Sequence, residues 1–131
     1  MGLKHEDLTG DIIKAFYEVY NELQYGFLEK VYENAMVIEL RLRGFKVIPQ
    51  KKTEVYYKMN NVGEYYPGLL VNDLVIIELK AAESLVPEHE SQLVIYLRAT
   101  NIEVGLLMNF GKKPEFKRKV YDNSRKKIKS Y

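Results

Sequence analysis

Pro67-Gly68-Leu69-Leu70-Val71-Asn72-Asp73-Leu74-Val75-Ile76-Ile77-Glu78-Leu79-Lys80 reads as an apolar hairpin that ends in two charges of opposite sign. Alternate side chains of a strand point to one face, so Glu78 and Lys80 emerge together. The run Leu74 to Ile77 before them is apolar on both faces, the mark of a central strand covered on each side. A charge on the buried face of such a strand carries a large desolvation cost unless it is paired or holds an ion. The plainer alternative is an ion pair at an exposed strand end, typically worth about 0 to 1 kcal/mol. Asn72-Asp73 supplies the turn. With the loop centred on Asp73, positions 68 and 78 fall opposite each other on one face. A metal-dependent phosphodiester hydrolase would use that face: a carboxylate to hold a divalent cation, and an ammonium to steady the attacking water or the scissile phosphate. It would also want a second carboxylate where this chain has Gly68.

Upstream of the hairpin, Ile12, Ile13, Phe16, Val19, Tyr20 and Leu23 recur at helical spacing and predict an amphipathic helix from Leu8 to Leu23. Gln24-Tyr25-Gly26 ends it. Leu28, Val31, Tyr32, Ala35, Met36, Ile38, Leu40 and Leu42 define a second helix from Leu28 to Arg43, stopped at Gly44. So short a connection makes the two helices neighbours. Beyond Gly44 the period moves towards two. Phe45 to Ile48 and Thr53 to Met59 read as strands, Asn60-Asn61-Val62-Gly63 as a turn, and Glu64 to Val71 as the strand leading into the hairpin. Downstream, Pro87-Glu88 opens a helix to Thr100, Val104 to Phe110 is an apolar strand, and Phe116 to Tyr121 adds an edge strand. This order predicts one α/β domain over residues 1–121, followed by a basic tail over 122–131.

The chain of 131 residues is 47% hydrophobic and 29% charged, which suits one folded core and argues against disorder over most of its length. It has no cysteine, so disulfides, thiolate metal sites and cysteine nucleophiles are excluded together. Any metal must bind through oxygen or histidine. The N-terminal Met1-Gly2-Leu3-Lys4-His5-Glu6-Asp7 carries charge where a signal peptide needs an apolar run, and no membrane-spanning stretch is present; a cytoplasmic location is expected. Residues 112–131 hold nine Lys or Arg and two acids, a net of +7, against −5 for the rest. Lys117, Arg118, Lys119, Arg125, Lys126 and Lys127, with Phe116, Tyr121 and Tyr131 interleaved, could follow a phosphate backbone and stack on bases. A solvated terminus is the plainer alternative.

Several other residues have two readings. Glu29 follows Gly26 at the start of the second helix, where it could be a metal ligand or simply a favourable acid near a helix N-terminus. Gln92 and Tyr96 are four apart and share a helix face. His89 and Glu90 could serve as acid, base or ligand, although a lone histidine is more often a surface or capping residue. Lys51-Lys52 reads as an exposed basic pair. No phosphate-binding loop, dinucleotide glycine fingerprint or zinc-binding histidine pair occurs. Tyr56-Tyr57 and Tyr65-Tyr66 offer a contact surface through which copies of the chain could form a homo-oligomer.

Together, Gly26-x-x-Glu29-x-x-Tyr32, Glu78-Leu79-Lys80, and His89-Glu90-Ser91-Gln92-Leu93 followed by Tyr96-Leu97 resemble the GxxExxY proteins of the PD-(D/E)XK nuclease superfamily, from Asp7 to about Tyr121. The Gln92 to Tyr96 spacing is similar to the QxxxY motif of RecB-like nucleases. The resemblance implies a restriction-endonuclease-like core, a mixed central β-sheet flanked by helices. It also implies a site in which Glu29, Glu78, the carbonyl oxygen of Leu79 and Gln92 meet around magnesium or manganese, with Tyr96 beside them. Lys80 would then assist hydrolysis of a nucleic-acid phosphodiester. The departure is at position 68, where the superfamily's motif has Asp. Asp73 lies roughly 16 Å along the strand from Glu78, and Glu64 roughly 13 Å from position 68, so neither fills the gap. The expectation is a nuclease-like protein with impaired catalysis, or a nucleic-acid-binding or oligomerising protein on the same fold.

Overall fold

The computed structural model describes residues 3–66 and 68–126, so Pro67, Lys127 and Tyr131 lie outside the described residues. Helices α1 (Glu6–Leu23) and α2 (Glu29–Leu42) come first. They are followed by β1 (Val47–Pro49), β2 (Thr53–Tyr57), β3 (Asn60–Tyr65), β4 (Leu69–Val71), β5 (Val75–Lys80), α3 (Pro87–Ala99), β6 (Val104–Phe110) and β7 (Pro114–Val120). Five strands form a sheet in the order β1-β4-β5-β6-β7. The β5–β6 pair is parallel and its neighbours are antiparallel, because α3 supplies the long crossover that parallel strands need.

The apolar residues of β5 and β6 are divided between two cores. Ile77 and Leu79 of β5, with Leu106, Met108 and Phe110 of β6, pack under Phe16 of α1 and Tyr32, Met36 and Leu40 of α2. Ile76 and Leu107 pack on the other face, against Leu93 and Leu97 of α3. Tyr32 is fully buried and stacks on Phe110 at 4.2 Å. Its hydroxyl donates to the Gln24 carbonyl at 2.6 Å and accepts the Phe27 N–H at 3.1 Å, which closes the α1–α2 connection. Gly26 makes that connection possible with φ of 116°, a conformation that side chains disfavour. The outcome is the mixed sheet flanked by helices that the family resemblance implies.

The second turn is elsewhere than predicted. Lys58 and Met59, with φ of 48° and 67°, make a two-residue loop between β2 and β3, which form a separate two-stranded sheet. Asn60 to Gly63 is strand. Its Asn and Gly mark a bulge: Val55 faces Gly63 and Tyr56 faces Asn61, so Val62 is the extra residue. Glu64 to Val71 is therefore not one strand but the end of β3 and all of β4, in different sheets.

The basic segment is pinned to the domain as far as it is described. Asp122 pairs with Lys4 at 2.8 Å, and the side chain of Asn123 donates to the Asn101 carbonyl at 3.1 Å. Lys126 is only 5% exposed, and its ammonium donates to the Thr100 and Ile102 carbonyls at 2.7 Å each. Replacing Lys126 with methionine should lower stability by about 2 kcal/mol, because it strands two carbonyls at the α3–β6 connection. Thermal unfolding of the variant beside the parent chain measures this. Among the described residues, no helix is long and apolar enough to cross a membrane.

Candidate active site

The β4–β5 hairpin turns at Asn72 and Asp73, whose φ values of 51° and 57° let a short loop follow the twist of the strands. Its register pairs Leu69 with Ile77, Leu70 with Ile76 and Val71 with Val75. Continued by one step, the register sets Gly68 against Glu78. The contact is direct: the Gly68 N–H donates to Glu78 Oε1 at 3.3 Å. A side chain at position 68 would not fit the present backbone, since a Cβ there would lie 2.5 Å from the Ile77 carbonyl oxygen. The position opposite the carboxylate therefore holds a hydrogen-bond donor and has no space for an acid.

Glu78 and Lys80 are half-buried on the α3 side of β5, while Leu79 between them is buried on the other side. Burial pushes the Glu78 carboxyl up to about 7. The Gly68 N–H and the Lys80 ammonium pull it down, and Glu29 and Glu33 push it up. The strand end is held by Asn109 of β6, which is fully buried and faces Lys80 in the register. Its amide accepts the Ala82 N–H at 2.9 Å and donates to the Ala82 carbonyl at 3.0 Å, and so fixes the chain just after Lys80.

From α3, Gln92 donates to the Tyr96 hydroxyl at 2.8 Å. Gln92 is exposed and Tyr96 is half-buried, close enough for the Glu78 charge to act with burial in raising the Tyr96 pKa. Tyr65 of β3 joins them. Its ring stacks on Tyr96 at 4.1 Å, its hydroxyl donates to the Tyr96 carbonyl at 3.1 Å, and burial first, then Tyr96 and Glu78, raise its pKa. From α2, Glu29 is exposed at the first turn, whereas Glu33, one turn on, is only 7% exposed and pairs with Lys30 at 3.3 Å.

Two residues around this site were not singled out from sequence, and a third was read for another role. Glu33 had a usable signal, since it stands four residues after Glu29 and so shares its helix face. Asn109 had one too, as an amide inside an apolar strand, where a buried polar group must find partners. Tyr65 was read as part of a contact surface, because its place beside Tyr96 depends on how the β2–β3 hairpin folds back on α3.

A family model of the PD-(D/E)XK nuclease superfamily matches residues 6–119. The chain belongs to this superfamily. No curated protein and no solved structure matches it. The mixed sheet with helices on both faces is consistent with the PD-(D/E)XK fold. The superfamily typically uses divalent metals. Among the described residues, no three acidic or histidine side chains gather closely enough to hold a metal ion. Gly68, opposite Glu78 on the sheet, has neither a side chain nor space for one on the present backbone.

Other candidates are engaged in the fold. His89 Nδ1 accepts the Val86 N–H at 3.3 Å at the start of α3, the capping alternative. Glu90 pairs with Lys119 at 2.7 Å, and Lys52 with Glu64 at 3.1 Å. Of the basic residues read as a nucleic-acid surface, Lys117 is exposed. Arg118 donates to the Lys4 carbonyl, and Arg125 lies 4.4 Å over the Tyr121 ring. Lys126 is turned inward, which corrects its expected place on that surface. A cavity of about 450 Å³ opens between β2 and the α3–β6 connection, over Leu70, Ile76 and Ile102, and is lined by neither Glu78 nor Lys80.

Proposed function

We propose that the chain is a GxxExxY-type member of the superfamily that acts on nucleic acid and whose phosphodiester hydrolysis is impaired at position 68. The observation that carries this reading is the pairing of Gly68 with Glu78. Where a nuclease of this fold would hold a second carboxylate against the first, a backbone N–H donates to Glu78 and the Ile77 carbonyl closes the space. Loss of one carboxylate lowers both the local negative charge and the oxygen count that a hard cation needs. Lys80 is kept on the same face as Glu78, which suits attraction of a phosphate without a reaction. Exposed Lys112, Lys113 and Lys117 extend the positive surface along β7 and the turn before it.

The test uses end-labelled single- and double-stranded DNA and RNA, with magnesium or manganese. Wild type is expected to cut no faster than Lys80→Ala, while binding the same strands without added metal and losing them as salt rises. Robust hydrolysis that disappears in Lys80→Ala would overturn the proposal.

A further inference from the structure

Half of the apolar residues that predict the second helix do not face the core. Tyr32, Met36 and Leu40 are fully buried, whereas Leu28, Val31, Ile38 and Leu42 are 81%, 39%, 62% and 78% exposed. With half-buried Ala35, these outward residues alternate steps of three and four, the spacing of a heptad seam. The helix thus has two apolar stripes: Ala35 of the outward one also packs against the core, while Leu28, Val31, Ile38 and Leu42 are exposed. The outward stripe runs from the residue before α2 to its last residue, about 21 Å at helical rise.

Its order of sizes is the same from either end: leucine, β-branched Val31, small Ala35, β-branched Ile38, leucine. A two-fold interface needs this property, because each residue i that meets j requires j to meet i. The bordering charges do not oppose such a contact. Glu39 is neutralised by Arg43 at 2.8 Å, and Arg41 is turned to the Val47 carbonyl at 2.8 Å. Tyr25 and Phe27, 53% and 48% exposed just ahead of Leu28, lengthen the apolar strip.

We infer that the outward face of α2 is the docking surface for a second copy of this chain, with the two α2 helices antiparallel about a two-fold axis at Ala35. Val31 then meets the partner's Ile38, Leu28 meets the partner's Leu42, and the two alanines meet at the axis, where their size lets the helices approach closely. Antiparallel helices also bring opposite ends of their dipoles together. Five side chains per copy place the contact near the about 1,000 Å² at which specific interfaces begin, the size of weak, reversible associations. The inference does not depend on the proposed function.

Sedimentation velocity of the full chain, from about 5 to about 500 µM, should show monomer passing into dimer over a micromolar range. Val31→Glu and Ile38→Lys, each alone, should weaken the dimer about tenfold or more by burying an unpaired charge. Both positions are exposed, and circular dichroism melts serve to confirm that the variants stay folded. The two variants mixed in equal amounts should associate better than either alone, because the new carboxylate of one faces the new ammonium of the other only in the antiparallel register. A wild type that stays monomeric throughout, single variants that dimerise as well as wild type, or a mixture no tighter than its components would each overturn the inference.

Discussion

Replacing Glu78 with glutamine is expected to stabilise the fold by about 3 kcal/mol at pH 8 and to change little at pH 4. Burial raises the Glu78 carboxyl from an ordinary 4.5 to about 7, so the folded chain holds this proton more tightly than the unfolded chain. The sign follows from that difference. The stability of the neutral carboxyl is fully present below the unfolded value and is lost as pH rises through the folded value. Above it, the carboxylate is charged in a place that solvates it poorly, despite the help of the Gly68 N–H and Lys80. Glutamine keeps the shape and the oxygen that accepts from Gly68, and removes the charge. Thermal unfolding of both chains across pH 4 to 8 should show midpoints that coincide at the acid end and part by about 10 °C at the alkaline end. A gap that does not vary with pH would mean that Glu78 is not held in its neutral form by the fold.

That prediction depends on a register legible from the hairpin alone. Strand side chains alternate with a period of two, and an apolar run with one turn in its middle leaves little freedom to slip. The opposition of positions 68 and 78, the extent of β6, and the split of β5 between two covered faces all follow from such local regularity. The β2–β3 turn does not. An Asn-Gly pattern marks a bulge as readily as a loop, and the turn was made by Lys58 and Met59, which carry no such signature. The second helix is legible as an element but not in its facing: an apolar residue at helical spacing lies on either of two stripes, and only tertiary structure assigns Ile38 outward and Met36 inward. The close approach of the Ile77 carbonyl to Gly68 is likewise invisible in sequence, where a glycine at that position looks like a missing acid and nothing more.

That approach makes the obvious repair of the site a costly one. Gly68→Ala is expected to lower stability by about 1 to 3 kcal/mol, because its Cβ must displace a backbone atom of β5 rather than a flexible side chain. Gly68→Asp should cost about 3 kcal/mol or more at pH 8, since it adds a second carboxylate beside one that is already poorly solvated. Nor should it restore hydrolysis with magnesium or manganese. The strand must shift to admit the side chain, and a misplacement of about 1 Å costs on the order of 10²-fold in rate. The comparison of wild type, Gly68→Asp and Gly68→Asp/Lys80→Ala in both thermal unfolding and nucleic-acid cleavage separates two histories of the site. A Gly68→Asp chain as stable as wild type, cutting in a Lys80-dependent way, would describe a nuclease that lacks one side chain. A destabilised and inactive chain would describe a strand pair that has closed over the vacancy, with the Gly68 N–H taking the role of partner to Glu78.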